Sequence, residues 1–485
     1  MARSSRQSKF IQLREKFPIF VFEQQDYTLT RQGLNIRFTF NVADQYLFEP
    51  SLFIPRNSFF LPDEKIAGHL NNIIFNLGMI ELISYWKCTC SPKVIIRPFA
   101  LHPEQISWWK NIYFNGLGEF FYLNSLDVTM DDFMHLENAS TDNLPVTAIT
   151  GYDLRNPGTA SPELLPREKF ALDDAVIIPI GGGKDSAVTI ELLGARAGSI
   201  PLIMNPRGAS IETIKAKSFS LDQFIEIRRR IDPELLQMNE RGFLNGHTPF
   251  SALLAFVTVL SAIVTGHRHI ALSNESSANE ATIEGTDINH QYSKSFQFES
   301  DFRAYIRRWI SEDINYFSFL RPLNELQIAS LFSQFPRYHP VFKSCNAGSN
   351  TDIWCGQCAK CLFTYIILSP FLEEVNLVAI FGKNLLSDGS LQQEFEQLTG
   401  MADEKPFDCV GTIREVNLAL CETIRHYDDN ELPFLLTFYR DCPLFAQYSQ
   451  VDFAAELYRL SSEHYLLPEF MEILKTGLAG VTNDK

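Results

Sequence analysis

The run Gly181-Gly182-Gly183-Lys184-Asp185-Ser186 combines residue types suited to holding an anion. Glycines accept positive φ and let backbone N–H groups approach a ligand closely. Ala175 to Ile180, just before the run, is short and wholly apolar, the pattern of a buried parallel strand. From Asp185 to Ala197 the chain reads as an apolar helix, whose start would aim unpaired N–H groups and a positive dipole end at the glycines. Ser186 can add a hydroxyl donor. Asp185 would repel bare phosphate, and its presence makes sense if Mg²⁺ sits between carboxylate and phosphates. A Walker A loop needs Ser or Thr directly after Lys, but Asp185 follows Lys184. The plainer alternative is a glycine-rich turn that holds nothing.

Cys345, Cys355, Cys358 and Cys361 form a second constellation, spaced C-x9-C-x2-C-x2-C. Two-residue gaps let neighbouring thiolates turn onto one ion, and Cys345 can close a tetrahedron. Zn²⁺ is the preferred occupant. An iron–sulfur cluster is the competitor, although the C-x3-C-P element of ferredoxin-type sites is missing. Four thiolates leave no position open for water, so the metal is expected to clip a loop together rather than to do chemistry. Cys88 and Cys90, separated by one residue, are expected to be ordinary residues.

Polar clusters lie between these two motifs. Asn245, His247 and Thr248 precede an apolar helix beginning at Ser251; Ser273 to Ser277, with Glu275, follows an expected strand at His269–Ser273. Asn289 to Lys294 adds His290 and Lys294. Singly, a histidine is more often a hydrogen-bonded structural residue, and Glu275 could be an N-cap partner or a surface charge. Together, and with Ser273–Ser277 at the carboxyl edge of a parallel sheet, they are candidates for a substrate site.

The elements that must position these groups are strands alternating with helices, including a further strand at Ile200–Met204, which indicates an α/β domain with a parallel sheet. Upstream, Leu34 to Val42 alternates like a half-buried strand, while His69–Trp86 and Pro103–Asn124 read as helices. Asn138 to Arg167 is rich in loop-forming residues. From Lys405 the chain looks mainly helical, with helical periodicity over Asp452–Thr476. The expected organisation is an N-terminal α+β domain (1–140), a linker or surface loop (141–172), a catalytic domain bearing the four-cysteine metal loop (173–404) and a helical C-terminal region (405–485).

Composition limits the function classes. A net charge of −16 speaks against a dedicated nucleic-acid binder. Local basic clusters at Arg228–Arg230 and at Arg303, Arg307 and Arg308 read more readily as solvated helix faces than as an anion pocket. The longest apolar run, Ser251 to Thr265, is too short to span a bilayer, and no secretory h-region follows Met1–Lys9. Apart from the four-cysteine cluster, the nine cysteines show no framework spacing, which fits a reducing compartment and a cytoplasmic protein. Nothing in the sequence indicates an oligomeric state.

The glycine run resembles the pyrophosphatase loop of the N-type ATP pyrophosphatases, with Gly181 where that superfamily usually has Ser. The resemblance implies an adenine nucleotide alpha hydrolase-like core. A more specific similarity extends over residues 115–415, to the UDP-N-acetylmuramoyl-L-alanyl-L-glutamate epimerase family. It rests on Gly-Leu-Gly-Glu-Phe at 116–120, Ile-Gly-Gly-Gly-Lys-Asp-Ser at 180–186 and Asn-Gly-His-Thr-Pro at 245–249. Ser-Asn-Glu at 273–275, Asn-His-Gln-Tyr-Ser-Lys at 289–294 and Leu-Arg-Pro-Leu at 320–323 follow in order. So do Ser-Cys-Asn at 344–346, Trp-Cys-Gly-Gln-Cys-Ala-Lys-Cys at 354–361, Ile-Phe-Gly-Lys-Asn-Leu-Leu at 380–386 and Lys-Pro-Phe-Asp-Cys-Val-Gly at 405–411. Cys88, Cys90 and the length of the 142–172 segment depart from the pattern.

The resemblance implies ATP- and Mg²⁺-dependent conversion of the terminal L-Glu of a UDP-muramoyl dipeptide to D-Glu, with release of AMP and pyrophosphate, in peptidoglycan precursor synthesis. His247, His290, Lys294 and Glu275 are then the acid–base candidates. The rivals are another adenylating enzyme on the same scaffold (an amide ligase, or an enzyme modifying a nucleobase or tRNA) and an inactive binding paralogue.

Overall fold

The computed structural model describes residues 2–140, 163–220, 222–279, 291–348, 351–428 and 431–482. His290 and most of the expected 141–172 linker lie outside them. The strands are β1 (Ile19–Leu29), β2 (Gly33–Val42), β3 (Tyr46–Phe48), β4 (Ser51–Pro55), β5 (Lys93–Ile96), β6 (His135–Asn138), β7 (Asp173–Pro179), β8 (Ser199–Met204), β9 (Ile225–Arg230), β10 (His267–Leu272) and β11 (Asn315–Ser318). With their helices they make an α/β protein. The chain divides into two compact units, each discontinuous in sequence: Met1–Leu172 with Ile227–Gly266 and Ala304–Asp313, and Asp173–Glu226 with His267–Arg303 and Ile314–Lys485.

The first unit is built on a mixed sheet. β1 and β2 form a long antiparallel pair, β4 lies antiparallel to β2, and β5 and β6 continue parallel to β1. β2 shows the alternation expected of it, with Leu34, Ile36, Phe38, Phe40 and Val42 all buried. Many of the chain's phenylalanines are spent here: Phe22 packs against Phe38, Phe40 and Phe75. Phe75 belongs to the helix Asn71–Trp86, buried almost throughout, which packs against the apolar helix Phe250–Thr265. That second helix ends at Gly266, whose φ of +77° makes the left-handed cap that glycine adopts without strain. The expected helix Pro103–Asn124 is two helices, Pro103–Gly116 and Gly118–Leu123, meeting at Leu117. Arg228–Arg230 lie in strand β9, not on a helix.

The second unit carries a four-stranded parallel sheet in the order β11-β10-β7-β8. The chain steps from β7 to β8 on one side and later returns to place β10 on the other. The sheet therefore reverses its winding between β7 and β10, and the loops leaving their carboxyl ends diverge there to open a crevice. The helix after the glycine run is Lys184–Leu193, shorter than expected. The periodic segment Asp452–Thr476 is not one helix: Phe453–Tyr458 and Pro468–Thr482 are separated by an irregular stretch, and the residue before Pro468 is itself disfavoured in a helix.

Candidate active site

The glycine run leaves β7 at the point where the second unit's sheet reverses. Gly182 has φ +87°, and a Cβ there would lie 2.9 Å from the Ser210 nitrogen, so no side chain fits. Gly183 takes the N-cap of the helix Lys184–Leu193 in an extended conformation, and no side chain caps that helix. Its first-turn N–H groups thus have the arrangement that favours an anion. The Ser186 hydroxyl donates to the Gly183 carbonyl (3.0 Å) and accepts from the Gly182 N–H (3.2 Å), bracing the loop. Lys343 N–H donates to the Gly182 carbonyl (2.8 Å), which ties the loop to the segment leading into Cys345.

Behind the loop lies a cluster of charge. The buried Lys184 ammonium bonds both Asp185 and Glu325. Glu325 opens the helix Glu325–Ser333, and its N–H donates to Glu415 (2.8 Å), which in turn accepts from Thr412. Burial pushes the Glu325 carboxyl up, Lys184 opposes this, and Asp185, Glu275 and Glu415 reinforce it, leaving the group at about 8. Burial also penalises the Asp185 carboxylate, but Lys184, Lys360 and Lys294 outweigh that and hold it below the ordinary aspartate value. Asp185 is therefore the anionic member of the set.

Lys294 and Glu275 meet in the same unit. Arg321, only 1% exposed, donates to the backbone carbonyls of both and is paired with the buried Glu299. The Lys294 ammonium lies 3.1 Å from the Cys409 sulfur. Burial works against its charge, yet Cys409 and the Glu275 and Asp185 carboxylates hold it above the ordinary lysine value. The segment 405–411 is fastened here by Lys360 to the Cys409 carbonyl, by Gln291 to the Val410 carbonyl (3.2 Å) and by Asn346 to Asp408.

The four cysteines converge. Their sulfurs all lie within 4.8 Å of one another, with 3.8 Å between Cys345 and Cys358, 3.6 Å between Cys355 and Cys361, and 3.5 Å between Cys358 and Cys361. A tetrahedral ion with metal–sulfur bonds of about 2.3 Å sets its ligands about 3.8 Å apart, so the group is close to the size of a zinc site. Gly356, at φ +65°, makes the turn between two of the ligands. Lys360 stands between Cys358 and Cys361 in sequence, so the four-cysteine loop also supplies a cation that acts on Asp185. Cys88 and Cys90 are buried in the turn that ends the helix Asn71–Trp86.

His247 lies in the first unit. A Cβ at Gly116 would come within 2.7 Å of the Pro249 ring; this close approach brings the Gly-Leu-Gly-Glu and Asn-Gly-His-Thr-Pro segments together. His247 Nδ1 is 3.6 Å from the Glu119 carboxylate, and Lys87 donates to the Gly246 carbonyl (2.6 Å). Burial pulls the Lys87 ammonium down to about 8. Sequence reading thus selected Asp185, Lys184, Glu275, Lys294 and His247 but gave no role to Glu325, Cys409, Lys360, Arg321 or Glu119. Cys409, Lys360, Arg321 and Glu119 stand inside the resemblance motifs, a signal that could have singled them out. Glu325 carries only the look of an acidic residue in a helix's first turn.

The MurL N-terminal domain matches residues 12–319, and the MurL C-terminal domain matches residues 341–452. The chain belongs to the MurL family. It is similar to the UDP-N-acetyl-alpha-D-muramoyl-L-alanyl-L-glutamate epimerase of Xanthomonas oryzae pv. oryzae, 33% identical over 83% of this chain and 85% of the relative. The proteins of the same name from Micromonospora sp. (31%, covering 81% and 82%) and Salinispora tropica (33%, covering 74% of each) are similar too. No solved structure matches. The glycine run, Lys294, Glu275 and His247 all fall within the MurL N-terminal match, and the four cysteines and Cys409 within the C-terminal one. Among the described residues of this MurL-family chain, no helix is long and apolar enough to cross a membrane.

Proposed function

We propose that the chain epimerises the terminal L-Glu of UDP-N-acetylmuramoyl-L-alanyl-L-glutamate to D-Glu in peptidoglycan precursor synthesis, activating its carboxylate with ATP and releasing AMP and pyrophosphate. The observation that carries the reading is the glycine loop at the sheet's reversal point, with Lys184 and an anionic Asp185 at its helix start. The named relatives supply the substrate. On this reading the second unit's core is ATP-pyrophosphatase-like, and the protein works in the cytoplasm.

The Gly181–Gly183 backbone and the first turn of the following helix receive the β,γ-phosphates. Asp185 would hold Mg²⁺, which when bound neutralises charge on the departing pyrophosphate. Lys184 shifts from Asp185 and Glu325 toward phosphate as that charge arrives. Cys345, Cys355, Cys358 and Cys361 hold a structural zinc.

Activation is needed because removing Cα–H beside an ionised carboxylate would build a second negative charge. Adenylation removes the first, so an enolate can form and be stabilised by nearby donors. Lys294 and Glu275, pinned by Arg321, and His247 and His290 are the candidate proton-transfer groups. The test is to supply ATP, Mg²⁺ and the UDP-muramoyl dipeptide, then measure AMP and the chirality of glutamate. D-Glu formed only with ATP supports the reading. AMP formed with an amine consumed and glutamate left L would show a ligase instead.

A further inference from the structure

We infer that Cys409 is a proton-transfer residue of the epimerisation, acting through its thiolate beside the Lys294 ammonium. The inference rests on the proposed epimerase reading and assigns one of its two proton transfers.

The two groups come from distant parts of the chain, yet their reactive atoms lie 3.1 Å apart. A thiol this close to an ammonium loses its proton more readily, and a thiolate is the basic form that can take a proton from carbon. Cys409 is half-buried, so its sulfur is screened from bulk water without being sealed off. Its position is fixed on both sides. Lys360 bonds its own carbonyl, Gln291 bonds that of Val410, and Lys405 reaches the Gly411 carbonyl (3.0 Å). Lys294 is fixed as well, because Arg321 grips its carbonyl. The glycine loop is adjacent: the Lys294 charge is felt both at Asp185 and at Glu275. A carboxyl group adenylated at that loop is therefore within the field of this pair. Segment 405–411 has little regular structure of its own, and Lys294, Lys360, Gln291 and Asn346 from elsewhere in the second unit hold it in place, an arrangement suited to presenting one side chain.

The Cα–H bond breaks, an S–H bond forms on Cys409, and the bonding pair moves onto the acyl carbonyl oxygen to give the enolate. When the enolate collapses, a second group on the opposite face gives Cα its proton. Water then hydrolyses the acyl-adenylate, Cys409 loses its proton to solvent, and the second group regains one from solvent.

The test compares Cys409→Ala with wild type in D₂O, with ATP, Mg²⁺ and the UDP-muramoyl dipeptide. Cα deuterium exchange and exchange of labelled pyrophosphate into ATP are measured side by side. Cα exchange should fall by about 10²-fold or more, the scale of a lost acid–base group, while pyrophosphate exchange falls by less than about tenfold. Cα exchange within about threefold of wild type would overturn the assignment and leave the epimerase reading standing. Absence of Cα exchange in wild type would remove the epimerase reading itself. If the variant loses both activities, wild type treated with iodoacetamide decides. Alkylation mapped to Cys409 that removes Cα exchange ahead of pyrophosphate exchange supports the role, and alkylation that leaves Cα exchange intact contradicts it.

Discussion

Each unit buries a cation against carboxylate, and the two pairings differ in completeness. In the first unit Arg229 meets Glu81 through two nitrogens, at 2.9 and 2.7 Å, with side chains 10% and 0% exposed. The planar guanidinium fork uses both carboxylate oxygens. In the second unit the Lys184 ammonium bonds both Asp185 and Glu325, and while it and Glu325 are only 5% and 3% exposed, Asp185 is 31% exposed. Two carboxyl groups share that one ammonium, and the more exposed of them, Asp185, stands in the first turn of the helix behind the glycine loop. The first arrangement is finished and structural. On the proposed reading, the second receives a cation and phosphate.

Substitution at Asp185 separates the two pairings most clearly. Asp185→Ala should lower pyrophosphate release by about 10³-fold while the melting temperature stays near wild type, since Asp185 serves the ligand rather than the fold. Near-normal release would make the loop a mere turn. Arg229→Met should do the opposite, costing about 3–5 kcal/mol in urea denaturation because Glu81 is left buried and unpaired. The double variant Arg229→Met/Glu81→Leu should recover most of that loss. If the single variant cost no more than an exposed pair, about 1 kcal/mol or less, Arg229–Glu81 would not be the sealed structural pair described.

Legibility in the sequence followed the distance between partners. The glycine loop, its flanking strand and helix, and the cysteines from 355 to 361 are local, so spacing alone reveals them. Glu325 is 141 residues from Lys184, and Cys409 is 115 from Lys294. Only the return of the chain to the carboxyl ends of β10 and β11 brings such groups together, and no periodicity encodes that. The His247–Glu119 pairing in the first unit is likewise set by packing, where Gly116 admits the Pro249 ring, and no local spacing encodes it. Asp452–Thr476 misled for the reverse reason: its apolar spacing suits two short helices on one core as well as it suits one long helix.

Smaller effects sharpen the picture further. Purified protein should contain about one zinc per chain, and Cys358→Ser should lower the melting temperature more than it alters the chemistry of molecules that remain folded. Stoichiometric iron with a visible absorption band would contradict the zinc assignment. Glu325 gives an effect that depends on pH. Its carboxyl is raised from 4.5 to about 8, so in that window the folded state keeps a proton that the unfolded state has lost. Stability should therefore decline as pH rises through the window, and Glu325→Gln should flatten that decline in thermal melts across pH 5 to 8. An unchanged slope would mean that Lys184 holds Glu325 ionised throughout.

The most direct measurement is deuterium at the glutamate Cα. In D₂O with Mg²⁺ and the UDP-muramoyl dipeptide, the product should acquire deuterium at that carbon only when ATP is present, because the unactivated carboxylate opposes enolate formation. AMP formation with Cα still carrying its original hydrogen, and no D-Glu, would keep the nucleotide chemistry and contradict the epimerisation.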